Sequence, residues 1–440
     1  MPANRRYFLQ ALGVSGLGAA ATAAEPGATV DRIITAVRAL GDKTPEEAAR
    51  DEAFWDAVRA VVGVEDGYVN LQTAWSGATF RPIQQAVADA WVRLNATPRA
   101  LQGRQWVDGV LGALRHLSQH VNCAFEELIF TRNTTEALNI VLFGLDLRPG
   151  DEIVTTTGDW PRFRGAIAQR AAREGIVSKV IDIPSPVAGP DAFVEAFARA
   201  VGPKTRAILL CHVYSYGETP PIRRICEMAH ARGVQVVVDG ALAFGHVVTD
   251  LRALGCDYYG ASFSKMAGGP LGTGFLYVRQ DRIKPLWPLF GSQGRYSAPL
   301  FDIDKMFKLA AQGTTSQFLY PCLDLLLRIH DAIGQARRQA RLHYLKRSWA
   351  DRVKDLPGLT FMASLDPSMS CGLVCVRIDG VGRGKPVTPR MIADRLAKEH
   401  RIVIGPNPET LFINTSVTTT PQEIDRFVTA LPAAIRDASK

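Results

Sequence analysis

Two short stretches, Val236-Val237-Val238-Asp239 and Ser262-Phe263-Ser264-Lys265, decide how this chain folds and what it holds. The first is a run of β-branched residues ending on a carboxylate, which reads as a strand buried on both faces of a parallel sheet. The second puts a lysine amine on a turn flanked by hydroxyls. A strand-end aspartate followed by such a lysine suits pyridoxal 5'-phosphate, which needs a lysine amine for its Schiff base and a carboxylate to keep its ring nitrogen protonated. Asp239 can supply the carboxylate and Lys265 the amine. Ser262 and Ser264 can donate hydrogen bonds to the phosphate. The plainer alternative makes Asp239 a loop cap and Lys265 one surface lysine among many.

Outward from these stretches, strands and helices alternate. Strands are expected over 127–131, 152–156, 177–183, 206–212, 234–238 and 275–278, and helices over 134–143, 162–174, 191–200 and from Pro220-Pro221 to Gly233. Such repeated units predict a mostly parallel sheet covered on both faces. A long helical region over 323–355 leads to a smaller α+β unit, with strands near 359–361, 372–378 and 402–404 and helices over 389–399 and 421–431. The expected division is a signal segment at 1–24, an N-terminal segment at 25–84 packing on the small domain, a large cofactor-binding domain at 85–320 and a small domain at 321–440.

Two further places join the lysine. Thr131-Arg132-Asn133-Thr134-Thr135-Glu136 is a strand-to-helix junction whose amides and hydroxyls suit a phosphate. Trp160 follows the end of the next strand, where its ring can stack on a flat heterocycle. The bland readings are a helix cap at Thr134 and a partly buried aromatic at Trp160.

Composition agrees with a large folded core: 440 residues, 47% of them apolar. The net charge of +8 is spread along the chain, with no zinc-ligand spacing and no basic helix, which argues against nucleic-acid binding. Arg5-Arg6-Tyr7-Phe8-Leu9-Gln10, followed by a small-residue run and Ala21-Thr22-Ala23, resembles a bacterial twin-arginine (Tat) export signal. Its run is too short and too rich in Gly and Ala for a stable membrane span. The expected location is therefore the periplasm, with the Tat machinery as a partner. Seven cysteines, an odd number lying mostly in apolar runs, predict no disulfide framework; Cys371 and Cys375 share a strand face but stand too far apart to bond.

Thr131-Arg132-Asn133-Thr134-Thr135-Glu136-Ala137-Leu138-Asn139, Val238-Asp239-Gly240-Ala241, Asp257-Tyr258-Tyr259-Gly260 leading to Lys265, and Gly272-Thr273-Gly274-Phe275-Leu276-Tyr277-Val278-Arg279 together resemble the class V aminotransferase family of fold-type I PLP enzymes, in its isopenicillin N epimerase-like branch. The resemblance runs from about Tyr68 to the C-terminus and is most specific in the large domain. It implies an α/β fold with a mostly parallel seven-stranded sheet sandwiched by helices and a smaller α+β C-terminal domain. It also implies Lys265 as Schiff-base lysine and proton shuttle, Asp239 as pyridinium partner and Trp160 as stacking ring. Thr134, Thr135, Ser262 and Ser264 would hold the phosphate, Ser264 standing where the family usually has histidine. Thr314 would reach the partner subunit's phosphate in a homodimer with shared sites.

The departures from the family concern the reaction. Leu242 stands where a His or Gln usually lies by the cofactor phenolate, so a donor is sought among His212, Tyr214, Ser215 and Tyr216, with His212 and Ser215 taken as cofactor contacts. Phe412 stands where amino-acid enzymes of the family carry a carboxylate-binding arginine. Arg104, Arg295 and Arg401 are the candidate replacements. The loop over 404–409 lacks the nucleophilic cysteine of desulfurases. The leading expectation is an aminotransferase acting on a small amine, a modified amino acid or a peptide-like metabolite. Epimerisation or β-elimination from the same lysine is the alternative, and a non-catalytic binder on the same fold a third.

Overall fold

Val236, Val237 and Val238 are fully buried, and the strand they form has parallel neighbours on both sides. The computed structural model describes residues 26–64, 67–97, 104–291, 305–310, 313, 315–379 and 387–438. Seven strands make the large sheet: β2 (Leu128–Thr131), β3 (Glu152–Thr156), β4 (Val177–Ile181), β5 (Thr205–Cys211), β6 (Gln235–Asp239), β7 (Tyr258–Ser262) and β8 (Gly274–Val278). Their order is β2-β8-β7-β6-β5-β3-β4, and β8 alone runs against its neighbours. The mostly parallel seven-stranded expectation holds.

Alternation along the strands sends side chains to two separate cores. Ile129, Ile153, Leu209, Val237 and Leu276 pack with the helix Thr134–Gly144 on one face. Phe130, Val154, Leu210, Val238 and Phe275 belong to the core of the other. A third core, around Trp349, Val374, Ile413 and Phe427, lies under the antiparallel sheet β12-β13-β10-β9, built from β9 (Leu359–Phe361), β10 (Leu373–Ile378), β12 (Gly405–Pro406) and β13 (Thr410–Asn414).

Three sequence expectations change. The helical region over 323–355 divides at Gly334, whose φ of +86° suits glycine, into Cys322–Ile333 and Gln335–Val353. The strand expected near Ile402 does not join the small sheet; β11 (Ile402–Val403) pairs in parallel with β1 (Val69–Asn70) of the N-terminal segment. The last helix runs to Ala438, past Pro432.

The N-terminal segment touches both halves of the molecule. Its helix Pro26–Leu40 packs on Cys322–Ile333, while the amide of Gly77 donates to the Ser264 carbonyl at 3.1 Å. A Cβ on Gly77 would lie 2.0 Å from the Lys265 carbonyl oxygen, so only glycine permits this approach. All seven cysteines are free, as expected. Among the described residues no helix is long and apolar enough to cross a membrane, and no cluster of ligand-type side chains could hold a metal ion.

Candidate active site

Parallel strands that end in register create a crevice at their carboxyl ends. Cys211 of β5 pairs with Asp239 of β6, and Asp239 with Gly260 of β7. Above these ends lies a cavity of about 220 Å³ lined, among others, by Thr134, Thr135, Trp160, Ser215, Asp239, Ser262, Ser264 and Lys265. Eight of the ten expected cofactor contacts therefore surround one space. Thr314 lies outside the described residues, as do Arg295 and the export signal.

The phosphate end is built at the start of the helix Thr134–Gly144. Asn133, not Thr134, caps this helix, its side chain accepting from the Glu136 amide at 2.9 Å. The Thr134 hydroxyl is thereby free to meet Ser262 Oγ at 2.7 Å, and the Thr134 amide donates to the same oxygen at 2.9 Å. A Cβ on Gly274 would fall 2.8 Å from Asn133 Cα, so a glycine in β8 allows the helix start to sit against the sheet. Amide, hydroxyls and helix dipole converge on one corner.

At the other end Asp239 is buried. Its Oδ1 accepts from the Ala241 amide at 2.8 Å, and the Cys211 thiol points at its Oδ2 from 3.7 Å. Burial pushes the Asp239 carboxyl above its ordinary range, opposed by the charge of Lys265 and the Ala241 amide. A desolvated carboxylate aimed into a cavity fits a cationic ring nitrogen, whose charge would hold it ionised. Burial also holds the Lys265 amine below the usual lysine value, with Asp239 opposing. Its Nζ makes no hydrogen bond among the described residues, which leaves the amine available as a nucleophile. The Cys211 thiol is pushed well above its ordinary value by burial and by Asp239, so it stays protonated.

Trp160 is held over the cavity by its neighbour. Asp159 Oδ2 accepts from Thr155 Oγ1 and the Thr156 amide, and its Oδ1 accepts from the Cys211 amide at 2.8 Å, tying the Trp160 turn to the end of β5. Sequence reasoning missed Asp159, Cys211 and Trp75; the last reaches the cavity from the N-terminal segment and has no local motif to announce it.

His212 must be withdrawn as a cofactor contact. Beyond β5 the extended backbone turns Cys211, Val213 and Ser215 inward, and His212 faces away, its Nδ1 3.1 Å from Tyr259 Oη. Tyr214 also turns away and stacks on Phe193, leaving Ser215 as the member of that group in the cavity lining. Leu242 and Phe412 line the cavity as expected. Neither of the two described candidate arginines lines the cavity. Arg104 is 95% exposed beside Asp108, and Arg401 lies over the Tyr68 ring. In the segment over 404–409 no cysteine is present, and nearby Cys375 is buried, donates to the Ser215 carbonyl and has its thiol pushed up to about 12.

The comparisons agree with this geometry. The sequence model described as "Aminotransferase class-V" matches residues 79–389. The chain is similar to isopenicillin N epimerase of Amycolatopsis lactamdurans, 27% identical over 86% of this chain and 98% of the relative, and to that of Streptomyces clavuligerus, 28% identical over 87% and 98%. In structure it resembles the apo cysteine desulfurase of Thermococcus onnurineus NA1, with a TM-score of 0.75 at 19% identity, covering 87% of this chain and 98% of the other. That likeness concerns the fold. A buried acid at one end, a hydroxyl-lined helix start at the other and a lysine between them fit the family's cofactor, and the chain belongs to the class V aminotransferase family of pyridoxal 5'-phosphate enzymes.

Proposed function

We propose that this chain is an aminotransferase acting on a modified amino acid or peptide-like small amine. The observation that carries the reading is the single base: among the described residues lining the cavity, Lys265 is the one group placed to move a proton, since Cys211 stays protonated and Asp239 lies at the opposite, ring-nitrogen end. Pyridoxal phosphate supplies the electron sink that weakens the bonds at the substrate's amine-bearing carbon. Thr134, Thr135, Ser262 and Ser264 would anchor its phosphate, and Asp239 would hold the ring-nitrogen proton. Trp160 would cover one ring face and exclude water. Lys265 Nζ, whose pKa burial lowers, would take the proton from the substrate carbon and pass it along the same face to the cofactor's aldehyde carbon rather than back to the substrate.

A second reading, epimerisation or β-elimination, is favoured by the near full-length similarity to two isopenicillin N epimerases. Epimerisation requires a second base on the opposite face. Besides Lys265, the ionisable side chains of the described lining are Asp239 and the protonated Cys211, and neither is taken as that base. Desulfuration through a loop persulfide lacks its cysteine. Export to the periplasm by the Tat route belongs to the proposal and rests on Arg5-Arg6. A homodimer does too, and exposed Trp91, Val92 and Leu271 are the kind of surface a partner subunit covers.

Borohydride reduction followed by peptide mapping should place a phosphopyridoxyl mass on Lys265. A protein that takes up no cofactor would instead be a binder. Incubation with candidate amines and 2-oxo acids should then yield the carbonyl product with transfer of nitrogen. Retained amine with inverted configuration would replace this reading with epimerisation.

A further inference from the structure

Trp75 stands at the mouth of the Lys265 cavity, 50% exposed, yet its backbone is held on both sides. Gly77 is bonded to Ser264, and Asn414 Nδ2 donates to Thr73 Oγ1 at 2.6 Å while the Asn414 amide donates to the Leu71 carbonyl at 2.8 Å. One strand, β13, therefore carries both Asn414, which clamps this loop, and Phe412, which lines the cavity. The Trp75 ring meets Trp160 edge-on, with centroids 5.6 Å apart at 70°, and lies 6.5 Å from Phe412 at 54°. Phe412 itself is 3% exposed. With Leu242 these residues give the cavity that holds Lys265 an apolar wall.

Lys265 is the one cation among the described residues of the lining, and its charge is set against Asp239. A substrate carboxylate pressed on indole and phenyl would lose its water and gain no partner, which is costly. An amide or an aryl group would keep little or no charge and gain edge-to-face contact. We infer that Trp75 and Phe412 are specificity-determining residues, selecting amines whose reacting carbon bears an apolar, aryl or amide group instead of a free carboxylate. The inference rests on the reading of Lys265 as a pyridoxal phosphate amine site.

The test uses two ligands that have no amine and cannot react, 3-phenylpropanamide and 3-phenylpropanoate, titrated calorimetrically into the holoenzyme. The amide should bind at least about tenfold tighter than the acid. Trp75→Ala, a change at a half-exposed position, should weaken the amide about tenfold and leave the cofactor absorbance unaltered. Phe412→Leu should weaken it as well, with the same unaltered spectrum. Equal or tighter binding of the acid, or no response to Trp75→Ala, overturns the wall's role while the cofactor reading stands. A protein without the phosphopyridoxyl label on Lys265 overturns that reading and the wall's role with it.

Discussion

Thr134 and Ser262 come from strands and helices far apart in sequence, yet the Thr134 amide and hydroxyl both lie within 2.9 Å of Ser262 Oγ. A phosphate that enters this corner displaces a hydrogen bond between neutral groups and receives charge-assisted ones.

Ser262→Ala should therefore weaken cofactor binding by roughly 10- to 100-fold, the equivalent of one charge-assisted hydrogen bond of about 1.5–3 kcal/mol. Titration of the cofactor-free protein, followed by tryptophan fluorescence, would read it. Unchanged affinity would remove this corner from the phosphate site.

Asp239 gives the site its pH dependence. In the cofactor-free protein burial raises its folded pKa above the unfolded value of about 3.9, so stability falls as pH rises from the unfolded value through the folded one. Asp239→Asn should accordingly gain thermal stability relative to the parent as pH rises above the unfolded value of about 3.9, when both lack cofactor. The same variant should lose on the order of 10²-fold or more in turnover, because the ring nitrogen loses its charged partner. Parent protein that gains on the variant with rising pH would contradict the burial argument.

Gly77→Ala probes the docking of the N-terminal loop. The added methyl would lie 2.0 Å from the Lys265 carbonyl oxygen, so backbone must shift, at a cost of about 1–3 kcal/mol. A lowered melting temperature together with weaker cofactor uptake is expected. A lower melting temperature with normal uptake would show that the loop supports the fold alone.

Six strands of the large sheet were legible because each is a short apolar run bounded by turn residues, and β3 was located to the residue, whereas β7, Tyr258–Ser262, was not read as a strand because its Tyr-Tyr-Gly-Ala-Ser run lacks a clear apolar pattern. Asp239, Lys265, Trp160 and Thr134 were legible because they occupy strand ends or the turns that follow. His212 was misplaced for a local reason: hydrogen-bonding potential was weighed without the alternation that turns it toward Tyr259. Ile402–Val403 was assigned to the small sheet because pattern alone does not name a strand's partner, and that partner, Val69–Asn70, comes from the far end of the chain.

Sequence by itself pointed to the cofactor end of the site, since a strand-end acid, a turn lysine and a helix start are local features that, taken in this order, share one chemical use. Tertiary structure decided the substrate end. Trp75 belongs to no motif and reaches the cavity only because Gly77 lets its loop lie on the Lys265 carbonyl and Asn414 fixes it to the strand of Phe412. Contacts of that kind depend on close packing between segments distant in the chain, and no periodicity or spacing encodes them.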